Sequence, residues 1–153
     1  MPGGFVATIV SGGQTGVDRA ALDVALELGL VCGGWCPRGR RAEDGAIPSH
    51  YPLHETPSPD YRQRTSWNVR DSDGTLVLAW DEPRGGSART VREAVRLGKP
   101  VLVIDLSAQP ECDQARDWLA ARKVRVLNVA GPRQSEAPAA YARAVAFLRV
   151  LLR

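Results

Sequence analysis

Apolar residues alternate between two rhythms along this chain. Phe5–Val10 is a short apolar run that stops at Ser11-Gly12-Gly13, the pattern of a buried strand. After it Val17, Ala20, Ala21, Val24, Ala25 and Leu28 recur at helical spacing, with Thr15 and Asp18 set as a capping-box-like pair and Gly29 as the stop. The same alternation predicts strands at Leu30–Trp35, Thr75–Trp80, Val101–Ile104 and Val124–Val129. Helices are predicted over Tyr61–Asp71, Thr90–Leu97, Asp113–Arg122 and Pro138–Leu152, with Thr90 and Glu93 repeating the capping spacing. Between Cys36 and Asp60 no period holds, and prolines recur at 37, 48, 52, 57 and 59. So long an irregular stretch inside a small domain marks a functional segment more often than an idle one.

The strands are apolar throughout rather than alternating, as strands covered on both faces are. Strand–helix repetition with right-handed crossovers then gives a three-layer, doubly wound, Rossmann-like α/β fold with a mostly parallel sheet of about five strands. The length of 153 residues suits one domain spanning 1–153, and 44% hydrophobic with 24% charged residues is an ordinary balance for a folded protein. No apolar run approaches the ~20 residues that cross a bilayer, and Met1–Phe5 lacks a signal-peptide pattern, so a cytoplasmic protein is expected. A net charge of +3 is too small to indicate nucleic acid as partner. The basic residues are almost all arginine, Lys99 and Lys123 being the only lysines, and arginine suits phosphates and carboxylates.

In an open parallel sheet, ligands sit beyond the carboxyl ends of the strands near the reversal of strand order. The segments leaving those ends are 11–16, 36–45, 80–90, 105–110 and 130–136. Gly12, Gly13, Gln14, Thr15 and Gly16 form a glycine-rich turn before a helix, which is either an anion cradle or a plain tight turn. Ser11 stands where a dinucleotide fingerprint requires glycine, and no acid closes the second strand, which argues against NAD; no lysine is present for a P-loop. Gly85, Gly86, Ser87 and Thr90 offer a second such turn, with Arg89 for charge, and the two turns are placed to hold one phosphorylated ligand between them.

Trp35, Arg38, Arg41, Glu43 and Asp44 belong to a loop that mixes an aromatic ring with charges. It is read as stacking and anion recognition, or as an Ω-type loop without a ligand. Tyr61, Arg64, Thr65 and Asn68 share one helical face, and Asp71 follows it. Cys32 and Cys36 have no second cysteine pair, and Pro52 keeps His50 and His54 off a common helical face, so neither zinc nor another protein-bound metal is expected. Cys36 is either a core thiol or a thiolate activated by its basic loop.

The segments 11–21, 33–45, 64–75, 85–90 and 127–135, in this order, resemble the molybdenum carrier family over nearly the whole chain. The resemblance implies a Rossmann-like fold related to lysine-decarboxylase-like nucleotide-binding proteins, and a homo-oligomer, dimer or tetramer. It also implies the molybdenum cofactor as ligand and molybdoenzymes as recipients. The wider superfamily includes enzymes that cleave the N-glycosidic bond of nucleoside monophosphates, with a motif resembling Pro-Gly-Gly-x-Gly-Thr-x-x-Glu. Here Arg84 replaces the proline and one residue is inserted before Thr90, which shifts Glu93 from the catalytic spacing. Glu93 and Asp44 are the catalytic candidates on that alternative reading, as a phosphoribohydrolase-like enzyme or a nucleotide sensor.

Overall fold

The computed structural model describes residues 6–153, so the predicted start of the first strand and the N-terminal segment Met1–Phe5 lie outside the described residues. In chain order the elements are β1 (Thr8–Val10), α1 (Val17–Leu28), β2 (Val31–Gly33), β3 (Trp35–Cys36), β4 (Arg41–Ala42), β5 (Gly45–Ala46), β6 (His54–Glu55) and α2 (Tyr61–Arg70). They continue with β7 (Gly74–Ala79), α3 (Gly85–Arg96), β8 (Val101–Asp105), a 3₁₀ turn (Leu106–Ala108), α4 (Asp113–Arg122), β9 (Val126–Ala130) and α5 (Ala140–Leu152). Five strands form one parallel sheet in the order β2-β1-β9-β7-β8. This is the α/β architecture the apolar pattern predicts.

β7 is buried at all six positions, because helices cover both faces of the sheet around it. On one face lie α1, α4 and α5. Ala20, Ala21 and Ala25 of α1 and Ala140 and Ala144 of α5 are fully buried, and their small side chains let these two helices pack closely over β1 and β9. α2 and α3 pack against each other, and α3 reaches β7. The last strand in sequence, β9, stands in the middle of the sheet between β1 and β7.

Several boundaries differ from the expected ones, each for a local reason. The expected strand Leu30–Trp35 is broken at Gly34, whose φ of +130° leaves a side chain no room: a Cβ there would lie 2.4 Å from the Ser11 carbonyl oxygen. Val124 is still part of the α4 exit, its N–H bonded to the Leu119 carbonyl behind Lys123 in the left-handed region, so β9 starts later than expected. The irregular segment 36–60 folds onto its own small core of Leu22, Cys36, Ile47, Tyr51 and Leu53. Arg40 staples it from within, donating to the carbonyls of Ile47 (3.1 Å), Pro48 (2.8 Å), Tyr51 (3.0 Å) and Leu53 (3.3 Å).

Candidate functional site

The loop after β1 enters α1 without the predicted Thr15–Asp18 capping box. Gly16 is the N-cap, with φ +81°, and a Cβ on it would meet the Pro132 carbonyl at 2.4 Å, so only glycine fits. Asp18 turns back instead and accepts the N–H of Gln14 at 3.2 Å. Thr15 points its hydroxyl at Glu43 (2.5 Å) and accepts the Gln134 N–H (3.0 Å). Glu43 also takes the hydroxyl (2.5 Å) and N–H (3.1 Å) of Ser135, and these bonds hold its carboxyl below the usual carboxylate range. Through this one side chain, three distant stretches of chain are tied together beside the sheet.

On the other side, α3 starts at Gly85, five residues before the predicted Thr90. The glycines, read from sequence as a loop, are the first helical turn; the positive φ of Gly85 (+52°) supplies the bend into it. Thr90 is no cap: its buried hydroxyl donates to the Gly86 carbonyl inside the helix at 3.0 Å. The N–H groups of Gly85 and Gly86 precede any intrahelical acceptor and carry the positive end of the helix dipole. A Cβ on Gly86 would meet nothing within 4 Å, so an incoming group can approach this backbone freely.

The third wall is α2, whose Tyr61, Arg64, Thr65 and Asn68 face one cleft at the predicted helical spacing. Arg64, nearly buried, donates to the Gly12 carbonyl at 3.0 Å and stands 3.9 Å from Asp18 and 5.1 Å above the Tyr61 ring. Asn68 spends both ends of its amide on the backbone of Trp35 (2.8 and 2.9 Å). The segment after β9 closes the cleft with Gly131, Arg133 and Glu136, giving a volume of about 280 Å³. Burial drives the Asp18 carboxyl up to about 6, against the opposing pull of Arg64.

Of the residues singled out from sequence, the cleft gathers Gly12, Gln14, Tyr61, Arg64, Thr65, Asn68, Gly85, Gly86, Ser87, Arg89 and Thr90. The others lie elsewhere. Gly13 faces the small core, where a Cβ would sit 2.5 Å from Leu53. Thr15, Gly16 and Glu43 hold the loops together. Asp44 forms a two-pronged pair with Arg19 (2.6 and 2.8 Å). Trp35 donates to Asp71 (2.9 Å) and stacks edge-on against Trp67, while Arg70 holds the same Asp71 carboxylate. Arg41 donates to the Pro59 carbonyl and covers the outer side of Tyr61, Arg38 is anchored through its backbone to Ser58, and Glu93 pairs with Arg96 in the separate groove between α2 and α3. Cys36 is buried, and burial pushes its thiol up rather than down, as for a core thiol.

The sequence did not mark Asp18, Asn128, Arg133 or Glu136 as site residues, Asp18 being read as part of a helix cap. Asn128 carries a visible signal, since it is the one amide in the otherwise apolar Val126–Ala130 strand. Arg133 and Glu136 sit in the segment 130–136 expected to leave a carboxyl end. Among the described residues, no cluster of three or more His, Cys, Asp or Glu side chains could hold a metal ion, and no helix is long and apolar enough to cross a membrane.

The profile of the circularly permutated YpsA SLOG family matches residues 9–152. The chain belongs to this family. A crystal structure described as "Putative molybdenum carrier protein" from Syntrophus aciditrophicus SB is 43% identical, with a TM-score of 0.92 over 97% of this chain and 96% of that one. No curated protein matches the chain. In this SLOG family member the cleft therefore lies above the carboxyl ends of β1, β9 and β7, where the strand order reverses.

Proposed function

We propose that the chain binds a phosphorylated heterocycle of the molybdenum-cofactor type and carries it, with the phosphate at the first turn of α3. The observation that carries this reading is the open Gly85–Gly86 turn, whose unpaired N–H groups line the same cleft as Arg64, Arg89 and Arg133. Tyr61, held between the guanidinium groups of Arg41 and Arg64, offers an apolar ring surface beside them. The donor set fits the organic part of the cofactor rather than its metal. No cysteine or histidine lines the cleft, so the phosphate and the ring would provide the grip. When bound, the cofactor supplies a metal–dithiolene centre; this chain's part is to bind the pterin and its phosphate and to limit the access of water to them. Formation of a homo-oligomer and hand-over to a molybdoenzyme belong to the same proposal.

Melting the protein with molybdenum cofactor, molybdate, GMP and AMP tests it. A ligand at ~100 times its Kd stabilises by ~2.7 kcal/mol, a shift of about 5–11 °C for a domain of this size. A shift with the cofactor and none with molybdate supports the reading, and no shift with any phosphorylated ligand removes it. A second reading, cleavage of an N-glycosidic bond, is favoured by the place of Asp18, a nearly buried carboxyl in the cleft lining. Asp18, with its carboxyl up to about 6 at the cleft wall, has the proton affinity of a general acid working near neutral pH. Release of free base from GMP or AMP, absent in Asp18→Asn, is its test.

A further inference from the structure

The outer part of the cleft, at Gly85, Gly86 and Arg89, is exposed and built for an anion, but its inner wall has a different chemistry. There Asp18 and Gln14 are each 6% exposed and Asn128 3%. Asp18 Oδ2 accepts the Gln14 N–H, whereas no described residue donates to Oδ1, and the side chain belongs to the cleft lining. Gln14 spends its side-chain oxygen on the N–H groups of Thr15 (3.1 Å) and Glu43 (2.8 Å), which leaves both hydrogens of Nε2 unused. Asn128 is oriented by donating Nδ2 to the Thr75 hydroxyl (3.2 Å), which leaves Oδ1 as an acceptor.

We infer that this inner wall recognises a heterocycle edge in which a ring N–H is flanked by an amino group and a carbonyl, the edge shared by guanine and the pterins. An ionised carboxylate only accepts, and two parallel donors, a ring N–H and an exocyclic amine, are its natural partners. The adjacent Gln14 Nε2 complements the carbonyl of the same edge, and Asn128 Oδ1 is a further acceptor for the amine. Adenine places an unprotonated ring nitrogen where the N–H is required, opposing a lone pair to Asp18 with little water to relieve it. Sites whose buried polar groups are left unpaired by the wrong ligand discriminate strongly. This inference rests on the proposal that the α3 turn holds the phosphate, since that contact orients the ring inward.

The test is calorimetric titration of the full chain at pH 8 with GMP, AMP and 6-hydroxymethylpterin monophosphate. At least one of GMP and the pterin phosphate should bind tenfold or more tightly than AMP, and whichever binds tells a nucleotide from a pterin source. In Asp18→Asn that preference should fall to threefold or less while AMP affinity persists. Equal or tighter binding of AMP by the natural chain overturns the inference and leaves the anion site standing, a comparison that needs no variant to fold. A preference undiminished in Asp18→Asn also overturns it. Binding of none of the three ligands overturns the anion site as well.

Discussion

Replacing Asp18 with Asn should make the protein more stable at neutral pH, although nothing else in the fold is improved by the change. Asp18 sits in α1 with Arg64 of α2 at 3.9 Å, too far for a hydrogen bond, and with Arg19 further off on its own helix. Burial dominates and lifts the carboxyl from 3.8 to about 6, a difference that corresponds to about 3 kcal/mol at pH 7. The sign follows from proton counting. Between pH 4 and 6 the folded state holds a proton that the unfolded chain has released, so this contribution is fully present below pH 4 and is lost as pH rises through about 6. Asparagine mimics the protonated form and still accepts the Gln14 N–H. Thermal melting from pH 4 to pH 8 should show the Asn variant up to about 6–12 °C more stable at pH 8, with the gap closing towards pH 4. A variant less stable than the natural chain at pH 8 would show that the attraction of Arg64 outweighs burial and would refute the reasoning. A carboxylate kept at such a cost in a cleft wall is what a ligand-binding role would demand.

Three other outcomes follow from the same geometry. Gly86→Val should fold normally, since its side chain meets open space, yet weaken phosphate-bearing ligands at least tenfold in a titration, and unchanged affinity would move the anion site elsewhere. Gly13→Val should unfold the chain at lower temperature rather than block the cleft, because its φ of +78° and the Leu53 methyl at 2.5 Å leave valine no place; a normal melting point would contradict this. Arg40→Ala strips donors from four carbonyls and should cost roughly 2–4 kcal/mol, read as a drop of about 4–16 °C in melting temperature.

The alternation of apolar runs and helical stripes made the architecture readable, because burial on both faces leaves the strands few polar positions to confuse the pattern. The polar face of α2 was readable for the same reason: Tyr61, Arg64, Thr65 and Asn68 follow the helical period wherever the helix is placed. The start of α3 was not, since Gly85 and Gly86 have poor helix propensity and adopt the helix only in its tertiary setting. The acids of the 33–45 loop, and Asp71 after α2, looked like ligand partners by their types, but whether a carboxylate is free depends on residues far away. Glu43 is claimed by Thr15 and Ser135, Asp44 by Arg19 and Asp71 by Trp35 and Arg70, contacts up to 92 positions apart that no local spacing reveals. Asp18 was hidden in the opposite sense, as its spacing from Thr15 reads as a helix cap.

The placement of β9 also sets the order in which a growing chain can become this protein. β1 pairs with β2 early, and β7 with β8 later, but the two halves share no strand until Val126–Ala130 slides between β1 and β7. Until β9 is in place, each half keeps one open strand edge, at β1 and at β7. The cleft borrows a wall from each half and its closing segment from the loop after β9, so it exists only once β9 has joined the two halves. A chain in which β9 is not seated therefore has the two halves of the sheet but no cleft between them.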